Sequence, residues 1–196
     1  MPRSSSHLLS VLLVEGQTER VFYDRVKSTF LTCPCTIEVI RGLYNINTKI
    51  LHALRTRHTD SPVRAYCCLD RESRYAKTPQ FDLGFIRAEL RKANARNVLS
   101  VDAIIATQMI ESWFFHDLAG IYRYLRVPKA RRNLRACQPV ERFRVEDLRG
   151  LFHRYNKEYY EGEKAKHLVD RLDIELIHGR CRDLQRGVSL ILSQAQ

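Results

Sequence analysis

Several signatures are missing from this 196-residue chain, and each absence removes a class of function. No apolar run approaches the roughly 18 residues that would mark a membrane-spanning helix. There is no G-x-x-x-x-G-K-S/T loop, so ATP binding through a P-loop is not expected. There is no G-x-S-x-G elbow for a serine nucleophile. The 7 histidines form no H-E-x-x-H or related metal motif. The 6 cysteines (Cys33, Cys35, Cys67, Cys68, Cys137 and Cys181) include no C-x-x-C pair of the kind that builds zinc sites. Cys67 and Cys68 lie in an apolar, strand-like run and read as buried thiols. Cys33-Pro-Cys35 is a poor match to ligand spacing. Repeats, low-complexity tracts and a clear linker are also lacking. The chain therefore reads as one domain over 1–196, with a core over about 8–118 and a helical C-terminal extension over about 119–196. The polar start and the short apolar stretch Leu8–Val14, soon interrupted by Glu15, do not suit a signal peptide. A cytoplasmic protein without a disulfide framework is expected.

Acidic residues are in deficit. Lys and Arg number 33 against 22 Asp and Glu, for a formal net charge of +11. Arginine outnumbers lysine, and guanidinium forks bind phosphate oxygens bidentately. An arginine-rich surface of this kind points to nucleic acid. The basic runs Lys129–Arg135 and Arg142–Arg149 either track phosphates or form a solvated face.

Up to Val101 the pattern alternates between strands and helices. Leu8–Val14 (LLSVLLV) is a continuous apolar run suited to a strand buried on both faces. Gly16-Gln17-Thr18 turns the chain, with Thr18 as a candidate helix cap. Val21, Phe22, Val26 and Phe30 then form an apolar stripe flanked by Tyr23 and Lys27. Strands are expected over Thr36–Ile40, Val63–Leu69 and Asn97–Val101. Helices are expected from Asn47, with Ile50, Leu51 and Leu54 inward, and over Asp82–Ala95, with Phe85, Ile86 and Leu90 on one face. Further helices are expected over Thr107–Leu118, Val145–Tyr155, Glu163–Leu172 and Cys181–Leu192, with a loop from Pro128 through Lys129–Arg135. The alternation predicts an α/β fold with a mostly parallel, doubly wound sheet flanked by helices. In such sheets functional groups gather at the carboxyl ends of the strands, near the point where strand order reverses.

Carboxylates sit at those ends. Val14-Glu15-Gly16-Gln17-Thr18-Glu19 follows the first strand, and Leu69-Asp70-Arg71-Glu72-Ser73 follows the third. Asp70 and Glu72 are two residues apart and share a side of an extended chain. With Glu15 they make a hard oxygen site of the kind magnesium prefers. Taken singly, Glu15 is also an ordinary strand end, Glu19 an ordinary helix start, and Asp70–Ser73 an ordinary polar turn. Glu111 lies in the apolar run Gln108-Met109-Ile110-Glu111-Ser112-Trp113-Phe114-Phe115. It either joins the cluster or pairs with an arginine, because a buried ion needs a partner. Trp113 reads as core, and His116-Asp117 as a helix end.

These motifs together resemble TOPRIM proteins, whose metal-binding domain occurs in topoisomerases, bacterial primases and OLD-type nucleases. The chain is most similar to a family of small stand-alone TOPRIM-like proteins of unknown function, often encoded beside ABC-type ATPases in bacterial defence loci. Tyr159–Asp173, with Lys164, His167 and Leu172, resembles that family's C-terminal region. The resemblance implies a TOPRIM-like fold and Glu15, Asp70 and Glu72 as catalytic and metal-binding residues. Glu19 and Glu111 are further candidate ligands, and the cofactor is Mg²⁺ or Mn²⁺. The usual second motif is Asp-x-Asp; here it is Asp-Arg-Glu, which puts a longer arm at Glu72. Nucleic-acid contacts are expected from Arg71, Arg74, Lys129, Arg131, Arg132 and Arg135. The expected function is a magnesium-dependent nuclease or nuclease subunit acting on DNA or RNA in anti-phage defence. An ABC/OLD-type ATPase partner, no membrane and homo-oligomer formation complete the expectation. The alternative is a non-catalytic TOPRIM-like module that binds nucleic acid or a partner ATPase.

Overall fold

Strands apolar on both pleated faces must be covered twice, and two strands here meet that condition. β1 (Leu9–Val14) sends Leu12 and Val14 to one side and Val11 and Leu13 to the other, and all four are fully buried. β3 (Val63–Asp70) does the same with Tyr66 and Cys68 against Ala65 and Cys67. These two strands lie side by side at the centre of a four-stranded sheet, with β2 (Cys35–Val39) outside β1 and β4 (Val98–Ala106) outside β3. Every pairing is parallel. The structure is a computed structural model and describes residues 8–42, 44–56, 61–71, 81–134 and 139–194, apart from the side chain of Glu141.

One face of the sheet carries α2 (Ile46–Thr56) and α3 (Leu83–Lys92), whose Ile50, Leu54, Ile86 and Leu90 meet Val11, Leu13 and Cys67. The other face carries α1 (Gln17–Phe30) and the C-terminal helices. These are α4 (Ile110–Phe114), α5 (Leu118–Tyr124), α6 (Val145–Arg154), α7 (Lys166–Val169), α8 (Ile174–Arg180) and α9 (Arg182–Gln194). Their apolar residues share one core with β1, β3 and β4. The order β2-β1-β3-β4 reverses direction between β1 and β3, so the switch point of this α/β sheet lies between them. The arrangement is the parallel, helix-flanked sheet expected from the sequence, and it is consistent with a TOPRIM-like fold. Among the described residues no helix is long and apolar enough to cross a membrane.

Local departures from the sequence reading have identifiable causes. Thr18 does not cap α1. The N-cap is Gly16, and the Thr18 hydroxyl instead accepts the Gly162 N–H at 2.8 Å. Tyr23 is buried rather than flanking, because α1 is covered by the sheet on one side and by α7 and α8 on the other. Phe85 lies in the first turn of α3 and is 46% exposed, leaving Ile86 and Leu90 to face inward. β4 runs to Ala106, well past Val101, because it pairs with β3 along its length. Its polar Asp102 is accommodated by Arg87 at 2.7 Å and by the Gln194 amide at 3.1 Å. The expected helix over Thr107–Leu118 breaks into α4, a 3-10 turn over Phe115–Asp117, and α5. The basic stretch after Pro128 contains a 3-10 turn at Lys129–Arg131, and Glu163–Leu172 opens with another at Gly162–Ala165 before α7. A separate helix, α8, precedes the one expected from Cys181. Asp173 caps it by accepting the Leu176 N–H at 2.9 Å.

Asp117 does more than end a helix. Its side chain is 1% exposed. It accepts the Gly120 N–H at 2.8 Å and the Asp173 N–H at 2.9 Å, and the guanidinium of Arg123 lies at 3.4 Å. One carboxylate thus caps α5 and fixes the entry to α8. A Cβ at Gly120 would sit 2.0 Å from that carboxylate, which explains the glycine. Leaving a buried donor unsatisfied costs about 1–3 kcal/mol. Asp117→Ala strands two donors and is expected to destabilise the chain by roughly 2–4 kcal/mol. Urea unfolding measures this, and a loss below roughly 1 kcal/mol contradicts the assignment.

Candidate functional site

The carboxyl ends of β1 and β3 open into a cleft of about 850 Å³. Val14 pairs with Cys68, so Glu15, just beyond β1, and Asp70, the last residue of β3, stand at neighbouring strand ends. Glu19 joins from the first turn of α1 and Glu111 from the first turn of α4. All four acids line the cleft. The same cleft is lined by Arg41, from the loop after β2, and by Arg144 and Arg149, from the start and middle of α6; Arg41 and Arg149 are exposed at its rim, whereas Glu19 and Glu111 are buried. Glu161 and Gly162, from the segment between α6 and α7, close one wall.

Backbone geometry brings these groups together. A Cβ on Gly16 would lie 2.9 Å from the Glu19 carboxylate. The backbone of Gly16 is extended, so its role is clearance for that carboxylate rather than a special turn. The β2 loop is tied to the β1 loop by Gly42 N–H to the Glu15 carbonyl, 3.2 Å. Arg41 and Gly42 both adopt left-handed backbone, with φ of 52° and 76°. The Lys49 ammonium donates to both of their carbonyls, at 2.5 and 3.3 Å, and holds Arg41 at the rim. The segment after α6 is pinned to α1 by the Gly162–Thr18 bond, where Gly162 also has a left-handed φ of 71°. Arg149 and Glu161 form an ion pair across that wall.

The electrostatics are those of crowded acids. Asp70 is held well above the usual carboxylate range by desolvation first, then by the negative charges of Glu19, Glu111 and Glu15. The Ile110 backbone N–H opposes the shift. Glu111 is 5% exposed and its pKa is pushed up to about 8, by burial first and then by Glu19. Its own backbone N–H and the Tyr159 hydroxyl, 3.4 Å from Oε1, pull the other way. Mutual repulsion of this kind is relieved by a proton or by a cation. The donors are all hard oxygens, which fits magnesium or calcium and not a soft metal. Among the described residues no group of three or more His, Cys, Asp or Glu is already gathered to hold a metal ion. Magnesium does not require such a cage, since it commonly takes one or two carboxylates, waters and substrate phosphate.

Of the expected site residues, the fold brings Glu15, Glu19, Asp70 and Glu111 to one cleft. Glu72, Arg74 and Arg135 lie outside the described residues. Arg71 is exposed and its backbone N–H pairs with the Ala106 carbonyl at 2.9 Å, but it is not among the cleft-lining residues. Nor are Lys129, Arg131 and Arg132. The first two are exposed, and Arg132 donates to the Val127 carbonyl at 2.9 Å. Among the described residues, the arginines that line the cleft are Arg41, Arg144 and Arg149. The last two belong to the basic run Arg142–Arg149, while Arg41 carried no sequence signal beyond its place just after a strand. Burial pushes the Cys35 and Cys67 thiols up to about 12, which disfavours their nucleophilic thiolate forms.

No protein-family model matches the chain, and no curated protein does. Among solved structures, the chain is similar to the C-terminal region of the OLD protein of Xanthomonas campestris pv. campestris, in a structure phased with platinum. The identity is 14% and the TM-score 0.43, over 95% of this chain and 97% of that one. A mercury-phased structure of the same region gives 16% and 0.41, over 92% and 96%.

Proposed function

We propose that this chain is a magnesium-dependent nuclease, or the nuclease subunit of an assembly, acting on phosphodiester bonds of DNA or RNA. The observation that carries the reading is the convergence of Glu15, Glu19, Asp70 and Glu111 at the sheet's switch point, beneath a rim of Arg41, Arg144 and Arg149. The rim arginines would bind backbone phosphates bidentately and orient the scissile one over the acids. Asp70 and Glu111, with Glu15, Glu19 and Glu72, are the residues that would hold Mg²⁺ or Mn²⁺. When bound, that cation polarises a phosphoryl oxygen, stabilises the leaving oxygen and makes water a better nucleophile. Glu15, on a short loop at the strand end, would take the proton of the attacking water. By the resemblance of the sequence motifs, the setting we propose is cytoplasmic anti-phage defence beside an ABC/OLD-type ATPase, with self-association of this chain. A binding-only module is the second reading. It is favoured by the absence, among the described residues, of a preassembled three-ligand group.

Glu15→Gln and Asp70→Ala are each expected to lower Mg²⁺-dependent cleavage by roughly 100-fold or more, the scale of lost charge stabilisation at a reacting centre. Without metal, Glu15→Gln should melt at or above the parent's temperature, because removing the charge of one of several crowded acids relieves repulsion. Variants that cleave like the parent, or a parent inactive even with its ATPase partner, leave only the binding module.

The pH dependence follows from Glu111. Its folded pKa of about 8 exceeds its ordinary 4.5. The folded state therefore holds the proton more tightly than the unfolded chain. The stability this contributes is complete below 4.5 and is lost as pH rises through about 8. In chelator, Tm is expected to fall across this window more steeply for the parent than for Glu111→Gln. Added Mg²⁺ should offset the loss at the alkaline end. Equal slopes for the two proteins contradict the assignment.

Nucleic-acid affinity should weaken steeply with salt, since phosphate neutralisation releases counterions. Arg41→Ala and Arg144→Ala are each expected to reduce the log–log salt slope by about 1. Fluorescence anisotropy at several salt concentrations reads this, and unchanged slopes would remove these arginines from the interface.

A further inference from the structure

The segment between α6 and α7 contributes more than a wall. Tyr159 is 7% exposed, with its ring edge-on to Phe152 at a centroid distance of 5.5 Å. Its hydroxyl is the polar end of an otherwise apolar setting, and it reaches Glu111 Oε1 at 3.4 Å. A buried tyrosine hydroxyl normally finds a partner, and here the partner is a cleft carboxylate rather than backbone. Glu111 also accepts its own backbone N–H, so two donors act on one carboxylate. The same segment is anchored on both sides, by Gly162 to Thr18 on α1 and by Glu161 to Arg149 on α6. The donor is therefore carried on a fixed support. Glu111 lines the cleft with Glu19 and Asp70, and the negative charges acting on it are those of Glu19 and Glu161.

We infer that Tyr159 is a positioning residue: its hydroxyl fixes the orientation of the Glu111 carboxylate in the cleft that Glu111 lines with Asp70. The inference rests on the proposed metal-dependent reading of the cleft. It assigns to the C-terminal segment a part in building the site. Outer-shell partners of this kind set the orientation of metal-ligating carboxylates, and losing one typically weakens metal binding by roughly 10–100-fold.

Tyr159→Phe tests this, because it deletes one oxygen and keeps the ring against Phe152. Mn²⁺ alone is titrated into the full chain by calorimetry, and melting is followed with chelator and with Mn²⁺. The expected result is Mn²⁺ affinity lower by about 10-fold or more, with an unchanged melting temperature in chelator. In a Glu111→Gln background the same change should have no further effect on Mn²⁺ affinity, because Tyr159 acts through Glu111. Three results overturn the inference. Equal Mn²⁺ affinity in parent and Tyr159→Phe leaves the metal reading standing and removes the positioning role. A lowered melting temperature in chelator with unchanged Mn²⁺ affinity makes the hydroxyl merely structural. A parent chain that binds no Mn²⁺ removes the metal reading and the positioning role with it.

Discussion

Acids at the ends of two adjacent parallel strands repel one another, and the cleft is organised around that repulsion. In a parallel ladder the register fixes how far apart the carboxyl ends of neighbouring strands lie. Val14 opposite Cys68 brings Glu15 and Asp70 to neighbouring strand ends. Glu19 and Glu111 are then added from helix starts packed against the same end. A fold seeking only stability would not gather four carboxylates in a desolvated place, where each raises the cost of ionising the others. Among the described residues, the fold puts no cationic side chain among the groups that act most strongly on Asp70 and Glu111. It offers them backbone and hydroxyl donors from Ile110, Glu111 itself and Tyr159. Such donors soften the repulsion and leave the site able to take up a proton or a cation.

The C-terminal segments are inseparable from this arrangement. α6 brings two of the rim arginines, and the stretch after it brings Tyr159, Glu161 and Gly162. The stretch after α6 and the start of α8 are held by long-range polar contacts. Thr18 receives Gly162, and Asp117 receives the start of α8. α9 lies so close to β4 that a Cβ at Gly187 would fall 2.7 Å from Ile104. The sheet supplies the position of the acids, and the later helices supply their electrostatic surroundings.

The sequence made the first of these legible and most of the second illegible. A continuous apolar run ending in Glu15, and another ending in Asp70, are local signals: strand length and polarity change are written in consecutive residues. The alternation of strands and helices carried the parallel sheet for the same reason. Tyr159 carries no comparable signal, because its partner lies 48 positions earlier. Arg41 depends on a left-handed backbone pinned by Lys49, which a pattern of residue types does not reveal. The basic turn at Lys129 was the more conspicuous charge run, yet it is not among the cleft-lining residues. Asp117 looked like an ordinary helix end. Only the return of the chain at Asp173 makes it the buried acceptor of two segments.

The opposite charges of rim and floor act over different distances. The net charge of +11 and the rim arginines are felt by a polyanion out to about a Debye length, near 8 Å at physiological salt. The acids are recessed and partly desolvated, so their repulsion of a phosphate is short-ranged and weakly screened. Under the proposed reading, a nucleic-acid strand is drawn to the rim whether or not the floor is neutralised. Its phosphate would approach the acids only once their charge had been neutralised. Attraction and admission are then separate steps controlled by separate residues. The arginines would govern how often a strand arrives, and the carboxylates, with the cation they would hold, whether it is placed for reaction. Protonation neutralises the floor as well, but it leaves no ligand for the phosphoryl oxygen. By this reasoning low pH would favour binding of a strand without cleavage.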